Sequence, residues 1–104
     1  MKRDELIEQI RQAVYEVEPD SEIILYGSRS RGDALSESDW DFLILVDGSL
    51  SDERIDRIRH SLYEIEWESG EIISSIVRTR EEWNSDLYQA IPFHQRVQQE
   101  GLRL

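Results

Sequence analysis

Apolar residues in this chain fall into short segments whose period switches repeatedly between helical and extended, and that alternation restricts the fold more than any other feature. Leu6, Ile7, Ile10, Ala13, Val14 and Val17 recur at helical spacing, and Glu18-Pro19-Asp20 ends the segment. Glu22 to Tyr26 is a short β-branched, apolar run that predicts a buried strand ending at a glycine. Gly27 to Ser38 is rich in Gly, Ser and charge and predicts a loop with room for a helical turn. Asp39 to Val46 predicts a second strand, Asp47-Gly48-Ser49 a turn, and Ser51-Asp52-Glu53 a helix start.

Ile55, Ile58, Leu62 and Ile65 supply the apolar stripe of that helix, which fades between Trp67 and Gly70. Glu71 to Thr79 predicts a third strand, and Arg80 to Ser85 a short helix with Trp83 facing inward. Phe93 to Glu100 predicts a last helix stopped by Gly101, with Leu102 and Leu104 available for an edge strand. Helices and strands in this order predict an α/β (α+β) fold, a small mixed β-sheet with flanking helices.

A length of 104 residues suits a single domain over residues 1–104. The formal net charge is -11, and an acidic surface repels phosphate backbones, so direct nucleic-acid binding is disfavoured. A divalent cation or a basic protein partner suits such a chain better. There is no cysteine, which excludes disulfides and thiolate metal sites. The first residues are charged rather than signal-like, and no stretch approaches transmembrane length, so the expected compartment is the cytoplasm, with no membrane partner.

The chemistry concentrates in the segment Gly27 to Phe42, where strand, loop and strand follow one another. Strand side chains alternate faces, so Asp39 and Asp41 point one way while Trp40 and Phe42 point the other. Paired carboxylates at the mouth of a sheet repel each other unless a cation lies between them. Hard oxygen ligands of this kind suit Mg²⁺, which takes one or two carboxylates plus waters and substrate phosphates. Gly27 lets the backbone approach a phosphate, Ser28 adds a hydroxyl donor, and Arg29 and Arg31 are cations in the same loop. A Gly-Ser turn is common alone, and acidic pairs are frequent in an acidic chain. From ordinary residue frequencies, both at fixed offsets arise by chance in on the order of one chain in a thousand of this length, severalfold more in an acidic one.

Gly-Ser, ten residues, then Asp-x-Asp resembles the signature of the minimal nucleotidyltransferases of the DNA polymerase β-like superfamily; here Gly27-Ser28 precedes Asp39-Trp40-Asp41 at that spacing, and Gly32 matches a further loop glycine. The order of helices and strands extends the resemblance over most of the chain. It implies a polymerase β-like fold and transfer of a nucleoside monophosphate, AMP first among candidates, from ATP or another NTP to a hydroxyl. Asp39 and Asp41 would be the catalytic metal ligands for two Mg²⁺ ions, and Gly27, Ser28, Arg29, Arg31 and Gly32 would bind the nucleotide. It also implies a protein partner, since such domains accompany HEPN-type toxins in toxin–antitoxin pairs and some add AMP to a partner tyrosine. The alternative is a catalytically weak or inactive nucleotide-binding module that neutralises its partner by docking.

Members of the resembled family carry a third carboxylate on the next strand. Here that strand offers Ser74 or Ser75, with Glu66, Glu68 and Glu71 as the nearest acidic residues. The remaining polar and aromatic residues read more simply. His60 and His94 are expected at the surface, and Arg54, Arg57 and Arg59 form a solvated helix face. Trp40 belongs to the core side of its strand.

Overall fold

A computed structural model describes residues 2–31 and 39–104. Helix α1, Arg3–Val17, buries Leu6, Ile10 and Val14, spaced four residues apart on one face. Strand β1, Glu22–Tyr26, follows, then the short helix α2, Ser28–Arg31, and strand β2, Trp40–Val46. Helix α3, Asp52–Ser69, starts where the Ser51 hydroxyl accepts the Arg54 N–H at 3.1 Å, with Asp52 and Glu53 in the first turn, and it buries Ile58, Leu62 and Ile65. Strand β3, Ile73–Thr79, is followed by α4 (Arg80–Trp83), α5 (Asp86–Gln89), α6 (Pro92–Glu100) and β4 (Leu102–Arg103).

The sheet has four strands in the order β3-β2-β1-β4, with β1 antiparallel to both β2 and β4 and β2 parallel to β3. This is the small mixed sheet with flanking helices that the alternating pattern predicts. Each face carries its own apolar layer. Trp40, Phe42, Ile44 and Val46 of β2 join Ile23, Leu25, Ile73 and Val77 beneath α1 and α3. Leu43, Leu45 and Tyr26 face the other way, against Trp83, Phe93 and Val97. Strand β2 is covered on both faces and is apolar almost throughout, as a central strand must be.

Several elements differ in detail from the sequence expectation. β3 begins at Ile73 rather than Glu71, because its ladder with β2 starts at the pair Trp40–Ile73 and Glu71 has no strand residue opposite it. His94 is 2% exposed instead of lying on the surface, and stacks on Trp83 with ring centroids 4.2 Å apart. Arg54 does not belong to a solvated face. Its guanidinium grips Glu18 through Nε and Nη2 at 2.8 and 2.7 Å, and its Nη1 donates to the carbonyls of Asp47 and Ser49. Among the described residues, no helix is long and apolar enough to cross a membrane.

Candidate active site

Asp41 is the one residue of β2 that is not buried. The strand parity explains why. Trp40 and Phe42 enter the layer under α1 and α3, so Asp41 projects from the opposite face, at the start of the strand. Asp39 precedes the strand and is exposed. Burial raises the pKa of Asp41 above the ordinary carboxylate range, and the charge of Asp39 raises it further, against the opposing charge of Arg96. A half-buried carboxylate beside a second one is therefore held at an electrostatic disadvantage.

The cross-strand partner of Asp41 is Tyr26, the last residue of β1, so the chain leaves the sheet at Gly27 directly beside Asp41. Gly27 has φ of 79°, and a β-carbon placed there would lie 2.8 Å from Asp41 Oδ2. The left-handed backbone favours glycine here, and a side chain would also oblige the Asp41 carboxylate to shift. The sequence predicts that a side chain at position 27 would intrude on an approaching phosphate; in the structure its β-carbon would also press on Asp41. The Gly27 carbonyl accepts the Ser30 N–H at 3.1 Å and the Ser30 hydroxyl at 2.7 Å, which turns the chain into α2. Its N–H donates to Glu100 Oε2 at 2.8 Å.

Ser28 and Arg31 begin and end α2. The side chains of Ser28 and Arg31, and Gly32 altogether, lie outside the described residues. Arg29 is placed on the other side of β2. Its guanidinium carbon sits 4.5 Å from the centroid of the Trp40 ring, and it pairs with Glu71 at 3.4 Å. The structure thus brings Gly27 and Asp41 together, with the charge of Asp39 acting on that pair, and it turns Arg29 away from them.

On β3, Ser74 is in register with Asp41 and Ser75 with Phe42. Ser74 therefore occupies the strand position, on the Asp41 face, from which a third carboxylate would act. Two of the nearby acids are engaged elsewhere. Glu66 accepts the Ile73 N–H at 2.9 Å, and Glu71 accepts the Trp40 indole N–H at 3.2 Å on the far side of the strand. Among the described residues, no group of three or more His, Cys, Asp or Glu side chains is arranged to hold a metal ion. The described residues offer two carboxylates near a glycine, Asp39 and Asp41, the latter desolvated and repelled. That set fits Mg²⁺, a cation that keeps waters and completes its shell with substrate phosphates.

Two residues of this neighbourhood escape the motif. Glu100 and Arg96, both on α6, meet it from the C-terminal side of the chain, one by a hydrogen bond and one by its charge. The sequence holds a partial signal for them: the edge strand predicted after Gly101 has to return α6 to the sheet, and β4 does pair with β1 at Leu25–Leu102.

The chain matches the nucleotidyltransferase domain family over residues 7–99. No curated protein matches it in sequence. Solved structures share its fold. A toxin–antitoxin crystal structure with AMP-PNP superposes with a TM-score of 0.64 at 18% identity, over 92% of this chain and 69% of that one. A mutant of the toxin–antitoxin MntA-HpeT bearing two Asp→Glu substitutions gives a TM-score of 0.60 at 15% identity, over 99% of this chain and 72% of that one. A Tyr→Ala mutant of MntA-HpeT gives 0.59 at 20% identity, over 100% and 72%.

Proposed function

The chain belongs to the nucleotidyltransferase domain family, and from that premise we propose that it transfers AMP from ATP to a hydroxyl of a protein partner, as the antitoxin of a HEPN-type toxin. The observation that carries this reading is the Asp41 carboxylate, half-buried, raised in pKa and set against Gly27, where a β-carbon would lie 2.8 Å from Asp41 Oδ2. A charge is kept at a position where it destabilises the fold, which is expected where a cation and a phosphate are to be bound.

In the proposed reaction the acceptor oxygen attacks the α-phosphorus, the bond from that phosphorus to the bridging oxygen breaks, pyrophosphate leaves, and the hydroxyl proton passes to solvent. Asp39 and Asp41 are the residues that would hold Mg²⁺, which when bound neutralises charge on the phosphate oxygens. The Gly27 backbone and Ser28 position the triphosphate, with Arg31 and Gly32 in the same loop. The likeness in fold to toxin–antitoxin proteins supports a protein acceptor, one of those structures being described with AMP-PNP. The acidic net charge of -11 supports a basic protein partner over a nucleic acid.

A second reading is favoured by Ser74. With a hydroxyl in register with Asp41, β3 supplies no carboxylate at that position to serve as general base, a role worth about 10²–10⁴-fold in rate. The chain would then bind nucleotide and neutralise its partner by docking. Labelled-ATP transfer onto the HEPN-type partner separates the two. Transfer by wild type, raised in Ser74→Asp, supports the enzyme. Nucleotide bound with no transfer by either protein supports the docking module.

A further inference from the structure

The residues of α6 that touch the site recur at one helical spacing. Phe93 packs edge-on against Tyr26 with 5.3 Å between ring centroids, Val97 is buried in the apolar layer that contains Tyr26 and Leu43, and Glu100 accepts the Gly27 N–H at 2.8 Å. Steps of four and three residues mark one helix face. That face runs along the end of β1 from Tyr26 to Gly27. Arg96 lies three residues after Phe93 and four before Glu100, on the same side of the helix, and it is exposed. Tyr26 and Asp41 are cross-strand partners, so the Arg96 face of α6 overlies the strand pair that carries the acidic residue. Arg96 is the positive charge that acts on both Asp41 and Tyr26.

A triphosphate brings more negative charge to a site that already holds Asp39 and Asp41, in a chain of net charge -11. It needs a cation on the Asp41 side of the sheet. Arg29 lies on the Trp40 side, paired with Glu71. A carboxylate oxygen and a phosphate oxygen are alternative acceptors for the same backbone N–H. Glu100 therefore stands where a phosphate oxygen would reach Gly27.

We propose that α6 forms the second wall of the nucleotide site, with Arg96 binding the β- and γ-phosphates of the triphosphate and Glu100 holding the Gly27 N–H until a phosphate oxygen replaces it. This rests on the nucleotide-site reading above and adds to it a cation and a competing anion from outside the loop. The binding energy of the triphosphate then depends on a helix that the Gly-Ser and Asp-x-Asp motif does not contain.

Calorimetric titration of the full chain with MgATP and, separately, with AMP in the same buffer tests the assignment on wild type, Arg96→Ala, Arg96→Lys and Glu100→Gln. Arg96→Ala is expected to weaken MgATP about tenfold while changing AMP by less than about twofold, as loss of a charge-assisted contact to the outer phosphates predicts. Arg96→Lys should recover part of the loss. Glu100→Gln, which removes the competing charge, should tighten MgATP by about threefold. Unchanged MgATP affinity in Arg96→Ala, or equal losses for MgATP and AMP, overturns the role of Arg96. Weaker MgATP binding by Glu100→Gln overturns the exchange. No MgATP binding by wild type overturns the nucleotide site itself, and this proposal with it.

Discussion

The two ends of the sheet use carboxylates in opposite ways. At the end where β1 begins and β2 finishes, Glu18 lies in the fork of Arg54, and the hydrogen bonds from that guanidinium hold its pKa below the ordinary range despite partial burial. Arg54 also binds the carbonyls of Asp47 and Ser49, and Arg80 joins Asp47 to the Asp20 carbonyl. Glu18 and Asp47 are each answered by an arginine, and the end of α1, the exit of β2 and the start of α3 are tied together. At the other end Asp41 is pushed the other way, by burial and by Asp39. One end is arranged for stability; at the other, among the described residues, burial and Asp39 outweigh the opposing charge of Arg96 at Asp41. The contrast is independent of any motif, and it falls at the end of the sheet to which the proposed function assigns the nucleotide.

Breaking the matched end should have the largest effect. Arg54→Ala leaves Glu18 without its fork and two carbonyls without a donor, and is expected to destabilise the protein by about 2–3 kcal/mol at neutral pH in urea denaturation. The sign follows from the lowered pKa of Glu18: its contribution is present above the ordinary carboxylate pKa and is lost as pH falls through the folded one. The deficit of the variant should therefore shrink on acidification, mostly below the ordinary carboxylate range. A deficit that is independent of pH would mean that the carbonyl contacts of Arg54, and not its pairing with Glu18, carry the stability.

Gly27→Ala tests whether the site end depends on its geometry. Its positive φ should make the variant about 1–2 kcal/mol less stable, and the new β-carbon should displace Asp41. MgATP affinity should fall beyond what the loss of stability explains, because the variant remains folded under assay conditions. Normal affinity would show that the carboxylate can turn aside without harm.

Asp41→Asn gives the smallest effect and the most informative sign. Because the pKa of Asp41 is raised in the folded protein, its ionisation opposes folding at neutral pH, and stability is recovered as pH falls through that raised value. The variant should be more stable than wild type in metal-free buffer, by about 1 kcal/mol or less given the solvent access of the side chain. The gain should begin to vanish above the ordinary carboxylate range, at a higher pH than the change expected for Arg54→Ala. A destabilised Asp41→Asn at neutral pH would place Asp41 among the structural carboxylates with Glu18.

Legibility in the sequence followed the range of the interactions. The facing of Asp41 was readable because β alternation is local, and the burial of Trp40 on the opposite side follows from the same parity. The edge strand after Gly101 was readable from a helix stop followed by leucines, and β4 forms there. Arg54 was misread because periodicity places it on the polar stripe of α3 while its partner Glu18 lies 36 residues away. His94 was misread for a related reason: nothing near it in sequence announces Trp83 as the ring that covers it. Glu100 reaches Gly27 across 73 residues, and only the fold makes that pairing. Between Ser74 and Ser75 the sequence left a choice that parallel register decides, since Ser74 stands beside Asp41.

The central claim is that Asp39 and Asp41 are kept for a metal-bound triphosphate. Its most direct test is calorimetric titration of MgATP into wild type and into the Asp39→Asn, Asp41→Asn double variant, with both proteins shown to be folded by their denaturation midpoints. The account predicts saturable binding by wild type that requires Mg²⁺, and loss of that binding in a double variant that is at least as stable. Equal MgATP affinity in the two proteins would contradict it.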